Sequence, residues 1–237
     1  MRRGKGKKGE SSRFETHDLE LAEKASILDA VFALQRGPCP DLAFRFSCRV
    51  GMCGSCAMVV NGRERLTCST LVSTVGSELR LEPLRNLPVV RDLAVDLQPF
   101  FAVYKRTLPW FVPREGLKDF YAIPEASREG RALDRQPQCI DCGACYSACT
   151  LVTLNANYLG PMALHRALNL VTDPRDRMRR ERLRLVSGEN GALRCHTLGN
   201  CRDACPRGIS PTDSIERLKR LAVLDLFRGA TGRTFGS

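Results

Sequence analysis

The chain has 237 residues, with 37 Lys and Arg against 26 Asp and Glu, and 43% apolar residues. This composition excludes wholesale disorder, and no run of about 18 uncharged apolar residues occurs that could span a bilayer. The twelve cysteines are about 5% of the chain, below the ~8–10% of a disulfide scaffold, and with no secretory signal ahead of them they point to metal or redox chemistry in a reducing compartment.

Residues 1–13 carry six basic side chains (Arg2, Arg3, Lys5, Lys7, Lys8, Arg13) against Glu10 and read as a flexible basic tail. Arg13 to Leu21 alternates as a strand does, and Ser26 is placed to cap a helix over Ile27 to Arg36, with Asp29 completing the capping box. Asn61-Gly62 between Ala57–Val60 and Arg63–Leu66 predicts a hairpin, and Glu78 to Leu84 a closing strand. Leu93, Leu97, Phe101 and Tyr104 give Arg91 to Thr107 helical spacing. Further on, Pro161 suits the first turn of a helix. Asp173-Pro174 can open an arginine-rich helix that Ser187-Gly188 closes, and Ser210-Pro211 can open a last helix through Ile215, Leu218, Leu221 and Leu224. The stretch Arg175 to Arg184 reads as a solvated helix face or as a docking surface for an acidic partner or anionic lipid headgroups. Neither basic segment is interleaved with aromatics, so no nucleic-acid groove is expected. Seventy residues between Cys68 and Cys139 contain no cysteine, which predicts two modules: 14–105, mixed α/β, and 106–228, mostly helical, followed by a flexible tail at 229–237.

The first cysteine group is Cys48-x4-Cys53-x2-Cys56, with Cys68 eleven residues beyond Cys56. This is the plant-type spacing for a 2Fe–2S cluster. Four thiolates must wrap two irons and two sulfides, and the loop backbone must come close enough to aim N–H groups at sulfur. Gly51, Gly54, Ser55 and Ala57 are small enough for that, and the glycines permit positive φ. Zinc ligands come instead as two C-x2–4-C knuckles. Cys39 lies outside the pattern and reads as a structural thiol.

The second group begins with Cys139-x2-Cys142-x2-Cys145-x3-Cys149, the bacterial ferredoxin run, whose fourth cysteine serves the other cluster of a pair. Its counterpart is Cys195, Cys201 and Cys205-Pro206, with Leu198 where a second ligand would stand. Crossing the fourth ligands predicts Cys139, Cys142, Cys145 and Cys205 for a 4Fe–4S cluster. Three thiolates remain, Cys149, Cys195 and Cys201, and they suit a 3Fe–4S cluster of higher potential. Thr150 occupies the position where Pro would be usual.

From Phe14 to Phe227 these motifs resemble the iron–sulfur subunit of succinate dehydrogenase and fumarate reductase, respiratory complex II. The resemblance is carried by Phe44 to Met58, by Cys139 to Cys145 and by Cys195-His196 through Cys205-Pro206, and Asn157 to Pro161 looks like the fumarate reductase branch. It implies an α+β chain: an N-terminal β-grasp, plant-type ferredoxin domain followed by an all-α, bacterial-ferredoxin-like domain. It implies electron relay between the FAD of a flavoprotein subunit and a membrane quinone, with an anchor that often carries haem b. No dicarboxylate site is expected on this chain itself. The Trp that hydrogen-bonds ubiquinone in the succinate dehydrogenase branch falls at Leu154, which suggests a menaquinone-type partner. His196 matches a family residue near the quinone, and it can equally serve packing or a hydrogen bond. Two other readings are an iron–sulfur adaptor of another flavoenzyme, such as a thiol-driven fumarate reductase, and a basic binding module with structural zinc. The former type continues into a long Cys-rich domain, whereas no cysteine follows Cys205 here. The expected location is peripheral, on the cytoplasmic face of a prokaryotic inner membrane.

Overall fold

The capping box read at Ser26 forms in the computed structural model, which describes residues 1–4, 12–116, 121–133 and 138–230. Ser26 Oγ accepts the Asp29 N–H while the Asp29 carboxylate accepts the Ser26 N–H, so two donors at the start of α1 (Ile27–Arg36) are satisfied reciprocally. The Ser26 hydroxyl also donates to that carboxylate at 2.7 Å, and together with the Ser26 N–H it holds the Asp29 carboxyl below its usual range. Ile27, Val31 and Leu34 of α1 are buried in one core with Leu42, Met58, Val60, Leu81 and Leu93.

That core belongs to the first of two units into which the chain divides, formed by Met1–Phe100, Ile140–Ala148 and Ala204–Arg207. The start of the expected basic tail is ordered. β1 (Arg2–Arg3) pairs antiparallel with β2 (Arg13–Phe14), and Arg3 meets Asp41 at 2.6 Å and the buried Asp92 at 3.6 Å. Arginines that find carboxylates on their own domain do not remain a solvated tail; Lys5, Lys7, Lys8 and Glu10 lie outside the described residues. The strand expected to reach Leu21 ends at Phe14, because the side chains of Glu15 and His17 turn to Arg13 and Cys39 instead.

The Asn61-Gly62 hairpin is present: both residues have positive φ (48° and 79°), joining β3 (Ala57–Val60) to β4 (Arg63–Leu66). β5 (Leu81–Glu82) adds to the far side of β3, shorter than the Glu78–Leu84 expectation, and completes a sheet of order β4-β3-β5. The helix expected from Arg91 begins only at Gln98. A second hairpin intervenes, β6 (Val89–Arg91) with β7 (Ala94–Val95), and α2 (Gln98–Lys105) follows with Asp96 accepting the Gln98 N–H. The cause is Asp92 at the hairpin turn (φ 48°). Its buried carboxylate accepts the N–H groups of Gly4 and Ala43, both at 3.0 Å, and these long-range bonds outweigh the local helical spacing.

By its contacts, the segment Ile140–Ala148 groups with Met1–Phe100. Ser147, on a single helical turn at Ala144–Ser147, donates to the buried carboxylate of Glu64 on β4 (2.8 Å) and accepts the Arg85 N–H (2.8 Å). Tyr146 sets its ring edge-on to Phe100 at 5.3 Å. Residues 140–148 therefore pack within the first unit. Gly54 is closest of all to them: a Cβ there would lie 2.6 Å from the Cβ of Cys142 and 2.8 Å from its Cα.

The second unit, Phe101–Cys139, Cys149–Asp203 and Gly208–Ser237, is built on three packed helices, α3 (Gly160–Thr172), α4 (Arg179–Val186) and α5 (Pro211–Ala230). Pro161 sits in the first turn of α3 and Pro211 opens α5, as their residue types favour. Leu164 and Leu168 of α3 and Ile215 and Leu218 of α5 are fully buried. α5 continues to Ala230, past the Gly229 at which the tail was expected; residues 231–237 lie outside the described set. α4 starts at Arg179 rather than after Pro174, since Asp173 is engaged by Arg175 and Asp176 accepts the Met178 N–H.

The arginine-rich stretch is not wholly a solvated face. Arg182 is completely buried and ion-paired to the equally buried Asp176, and its guanidinium donates to the carbonyls of Leu108 and Trp110. Asp176 also accepts the Val112 N–H. Breaking a buried pair by removing one partner costs about 3–5 kcal/mol, so Asp176→Ala should lower the thermal midpoint of the loaded protein sharply. Arg184→Ala, at an exposed position of the same helix, should stay within about 0.5 kcal/mol. Gly54→Ala and Gly62→Ala form a second matched pair. Both residues have positive φ, and either alanine costs about 1–2 kcal/mol of backbone strain. A Cβ at Gly62 would meet nothing within 4 Å, whereas Gly54→Ala adds overpacking of about 1–3 kcal/mol against Cys142. The difference should appear in urea unfolding midpoints.

Candidate metal centres

None of the twelve cysteines is in a disulfide, and the sulfurs of Cys48, Cys53 and Cys68 are met by backbone donors. Cys48 Sγ accepts the N–H groups of Val50 (3.5 Å), Met52 (3.2 Å) and Cys53 (3.3 Å). Cys53 Sγ accepts the Cys48 N–H at 3.5 Å, and Cys68 Sγ accepts the Gly51 N–H at 3.3 Å. Left-handed backbone at Arg49, Gly51 and Gly54 turns these N–H groups inward. Cys68 arrives from beyond the β3–β4 hairpin, where Thr67 donates from both its backbone and its hydroxyl to the Cys56 carbonyl. Hydrogen bonds from Cys48 N–H and Ser55 lower the Cys53 thiol to about 6, while burial beside Cys56 raises Cys68 to about 11. The Arg49 guanidinium stacks over Phe32 of α1 at 4.8 Å and over Phe46 at 5.6 Å, which ties the loop to the helix; Phe46 stands within the Phe44–Met58 motif, whereas no motif in the sequence singles out Phe32.

In the first unit Cys142 and Cys205 are close enough for their charges to interact, and burial raises the Cys142 thiol to about 11. Cys145 lies on the adjoining turn, Asp141 and Gly143 have positive φ, and Cys139 precedes Cys142 by three residues.

Cys149, Cys195 and Cys201 line one cavity of the second unit together with Leu198. Their charges interact with one another, and burial raises the thiols of Cys149 and Cys201. Cys195 Sγ accepts the Thr197 N–H at 3.4 Å, and Cys201 Sγ lies 3.2 Å from the hydroxyl of Thr212 at the start of α5. The loop is pinned to α5: Thr197 Oγ1 donates to Glu216 (2.6 Å), and Lys219 donates to Glu216 and to the Cys195 carbonyl. Tyr158 projects into the same cavity. It is 0% exposed, and its hydroxyl has no hydrogen-bond partner of good geometry. Burial and the nearby sulfurs of Cys195, Cys149 and Cys201 push that hydroxyl's pKa well above its ordinary range. Sequence reasoning missed Tyr158 and Thr212. Tyr158 stood inside the Asn157–Pro161 motif, and Thr212 inside a helix start, but nothing local marks either as facing sulfur.

The donor set suits polynuclear iron–sulfur groups better than single ions. Tetrahedral zinc, with Zn–S of about 2.3 Å, draws its sulfurs to about 3.8 Å from one another. Among the described residues no three of the eleven cysteines in the runs bring their sulfurs within 4.8 Å; only Glu15, His17 and Cys39 gather ligand atoms so tightly. That trio is already satisfied: Cys39 Sγ contacts His17 Nε2 at 3.3 Å, and Glu15 is held by Arg13 and faced by Arg3. Cys39 itself is a buried part of the core, as its reading as a structural thiol expected. The orphaned Tyr158 hydroxyl is a further sign of a polar occupant, since buried polar groups are almost always paired.

Near this cavity His196 is exposed and forms part of the lining. Leu154, at the position of the family Trp, is 77% exposed, and Thr150 accepts a hydrogen bond from Asn200. Trp110 lies on the segment whose carbonyls Arg182 binds. No helix among the described residues is long and apolar enough to cross a membrane.

Comparison with known proteins places these centres in a family. Residues 1–102 match the 2Fe-2S iron-sulfur cluster binding domain, and residues 136–209 match the 4Fe-4S dicluster domain. The chain is 37% identical over 202 residues to the mitochondrial succinate dehydrogenase [ubiquinone] iron-sulfur subunit 1 of Oryza sativa, covering 83% of this chain and 71% of that one. It is 34% identical over 212 residues to the fumarate reductase iron-sulfur subunit of Mycobacterium tuberculosis, covering 89% and 86%. A chain of the Mycobacterium smegmatis Sdh1 complex in the apo form superposes with a TM-score of 0.82 at 29% identity, covering 95% of each. With two cluster-binding domains in this order and such relatives along most of its length, the chain belongs to the electron-transfer iron–sulfur subunits of succinate dehydrogenase and fumarate reductase.

Proposed function

We propose that three clusters are held here in series: 2Fe–2S by Cys48, Cys53, Cys56 and Cys68; 4Fe–4S by Cys139, Cys142, Cys145 and Cys205; and 3Fe–4S by Cys149, Cys195 and Cys201. When bound, such clusters supply one-electron carriers. The chain's own residues do the rest. Backbone N–H groups of Val50, Gly51, Met52 and Cys53 offset sulfur charge in the first loop, and the thiols, several of them raised by burial, must each release a proton on ligation. Electrons are exchanged with the FAD of a flavoprotein subunit on one side and a membrane quinone on the other, in an anchor subunit with or without haem b. His196, exposed at the rim of the Cys149–Cys195–Cys201 cavity, is the residue of this chain proposed to lie beside the quinone. Attachment is peripheral, through the anchor, at the cytoplasmic face of a prokaryotic membrane.

The observation that carries the three-cluster reading is Leu198. It lines the same cavity as three cysteines and stands where a bacterial ferredoxin run has its second thiolate, so that site has three protein thiolates rather than four. Two experiments follow. Metal analysis of the purified complex should find iron and acid-labile sulfide. Low-temperature EPR should show an isotropic 3Fe–4S signal when oxidised and a 2Fe–2S signal when reduced. Stoichiometric zinc in place of iron would refute the proposal. Leu198→Cys should convert the three-iron signal into that of a reduced four-iron cluster, and an unchanged spectrum would count against the assignment of the gap.

A further inference from the structure

Four hydroxyl-bearing residues line the cavity of Cys149, Cys195 and Cys201; Thr150 accepts from Asn200 and Thr197 donates to Glu216, while Thr212 and Tyr158 differ in one respect. Thr212 Oγ1 already lies 3.2 Å from the Cys201 sulfur. Though the Cys195 sulfur is near it, the Tyr158 hydroxyl, completely buried, has no protein partner of good hydrogen-bond geometry. Its position is firmly set. The Tyr158 N–H donates to Asn155 O (3.0 Å), the following Leu159 N–H donates to Asn190 O (2.9 Å), and the Asn155 and Asn190 side chains bond each other at 2.8 Å. A phenol is protonated at neutral pH, with an ordinary pKa of about 10. It is therefore a donor, and a buried donor left unpaired costs about 1–3 kcal/mol. An acceptor that the protein does not supply must stand in front of it. Cys195 Sγ is near enough to act on the hydroxyl but does not meet it with good hydrogen-bond geometry, and it accepts the Thr197 N–H at 3.4 Å.

We infer that the Tyr158 hydroxyl donates a hydrogen bond to a sulfide of the cluster bound by Cys149, Cys195 and Cys201, and so raises that cluster's reduction potential. This rests on the three-iron reading above. The physical reason is charge: reduction adds an electron that is shared with the sulfurs, so a donor stabilises the reduced form more than the oxidised form. Thr212 works in the same direction on Cys201, but it contacts a ligand thiol and the sequence places it at an ordinary helix start. Tyr158 is the hydroxyl of this lining that is fully buried without a partner of good hydrogen-bond geometry.

Tyr158→Phe removes the oxygen and keeps the ring. In the purified complex, EPR-monitored redox titration should show the oxidised 3Fe–4S signal with its midpoint shifted downward. The shift should be about tenfold in the oxidised-to-reduced ratio at fixed potential, or about 59 mV for one electron. An intact signal with an unmoved midpoint would overturn the inference while leaving the cluster assignment standing. If the variant fails to load, the wild-type complex decides by proton ENDOR in H2O and D2O. A strongly coupled exchangeable proton on the 3Fe–4S spin supports the donor, and its absence removes it. A wild-type complex with no 3Fe–4S signal at all would refute the underlying assignment, and the inference with it.

Discussion

Thiolate sulfur in a partly buried loop needs positive charge or donors around it, and most of the local structure around the cysteine runs meets that need. In the first loop the donors are backbone amides, and four of them reach Cys48 or Cys68 only because Arg49, Gly51 and Gly54 take left-handed backbone. Around Cys149, Cys195 and Cys201 neighbouring backbone amides serve again, those of Leu151 and Val152 at Cys149, Thr197 at Cys195 and Arg202 at Cys201, and the Thr212 hydroxyl at the start of α5 adds a side chain from farther along the chain. A loop that wraps its sulfurs closely can use its own amides alone, while a cavity lined by helices also admits side chains.

The second constraint is packing of one cysteine run against another element. Gly54 permits the 48–56 loop to lie against Cys142 with no room for a methyl group. Ser147 and Tyr146, a few residues on, are fastened to Glu64 and Phe100. The strength of these contacts places residues 140–148 with the first unit although they follow it by forty residues in the chain. Buried hydrogen bonds thus group segments by contact, whatever their order along the chain.

Several elements were readable because their signals are local. The Ser26–Asp29 box, the Asn61-Gly62 turn, Pro161 and Pro211 each act within four residues of themselves, and each appears where expected. The failures share a different cause. The helix anticipated from Arg91 yielded to a hairpin turned by Asp92, whose partners Gly4 and Ala43 are 88 and 49 residues away. The basic tail proved to begin with a strand because Arg3 finds Asp41 and Asp92. Arg182 looked like one more solvated arginine and is instead buried on Asp176, holding the carbonyls of Leu108 and Trp110. In every case a charged or polar side chain found a partner far along the chain, and no periodicity records such a partner.

The order of residues alone yields the cysteine runs, the gap at Leu198 and the family, because these depend on side-chain identity at fixed short spacings. Folding decides what surrounds those sulfurs: which amides turn toward them, that Gly54 must be bare, and that an unpaired phenol faces one cavity. These depend on distances between segments remote in sequence, set by how buried polar groups pair and how helices pack, and no spacing within a motif encodes them.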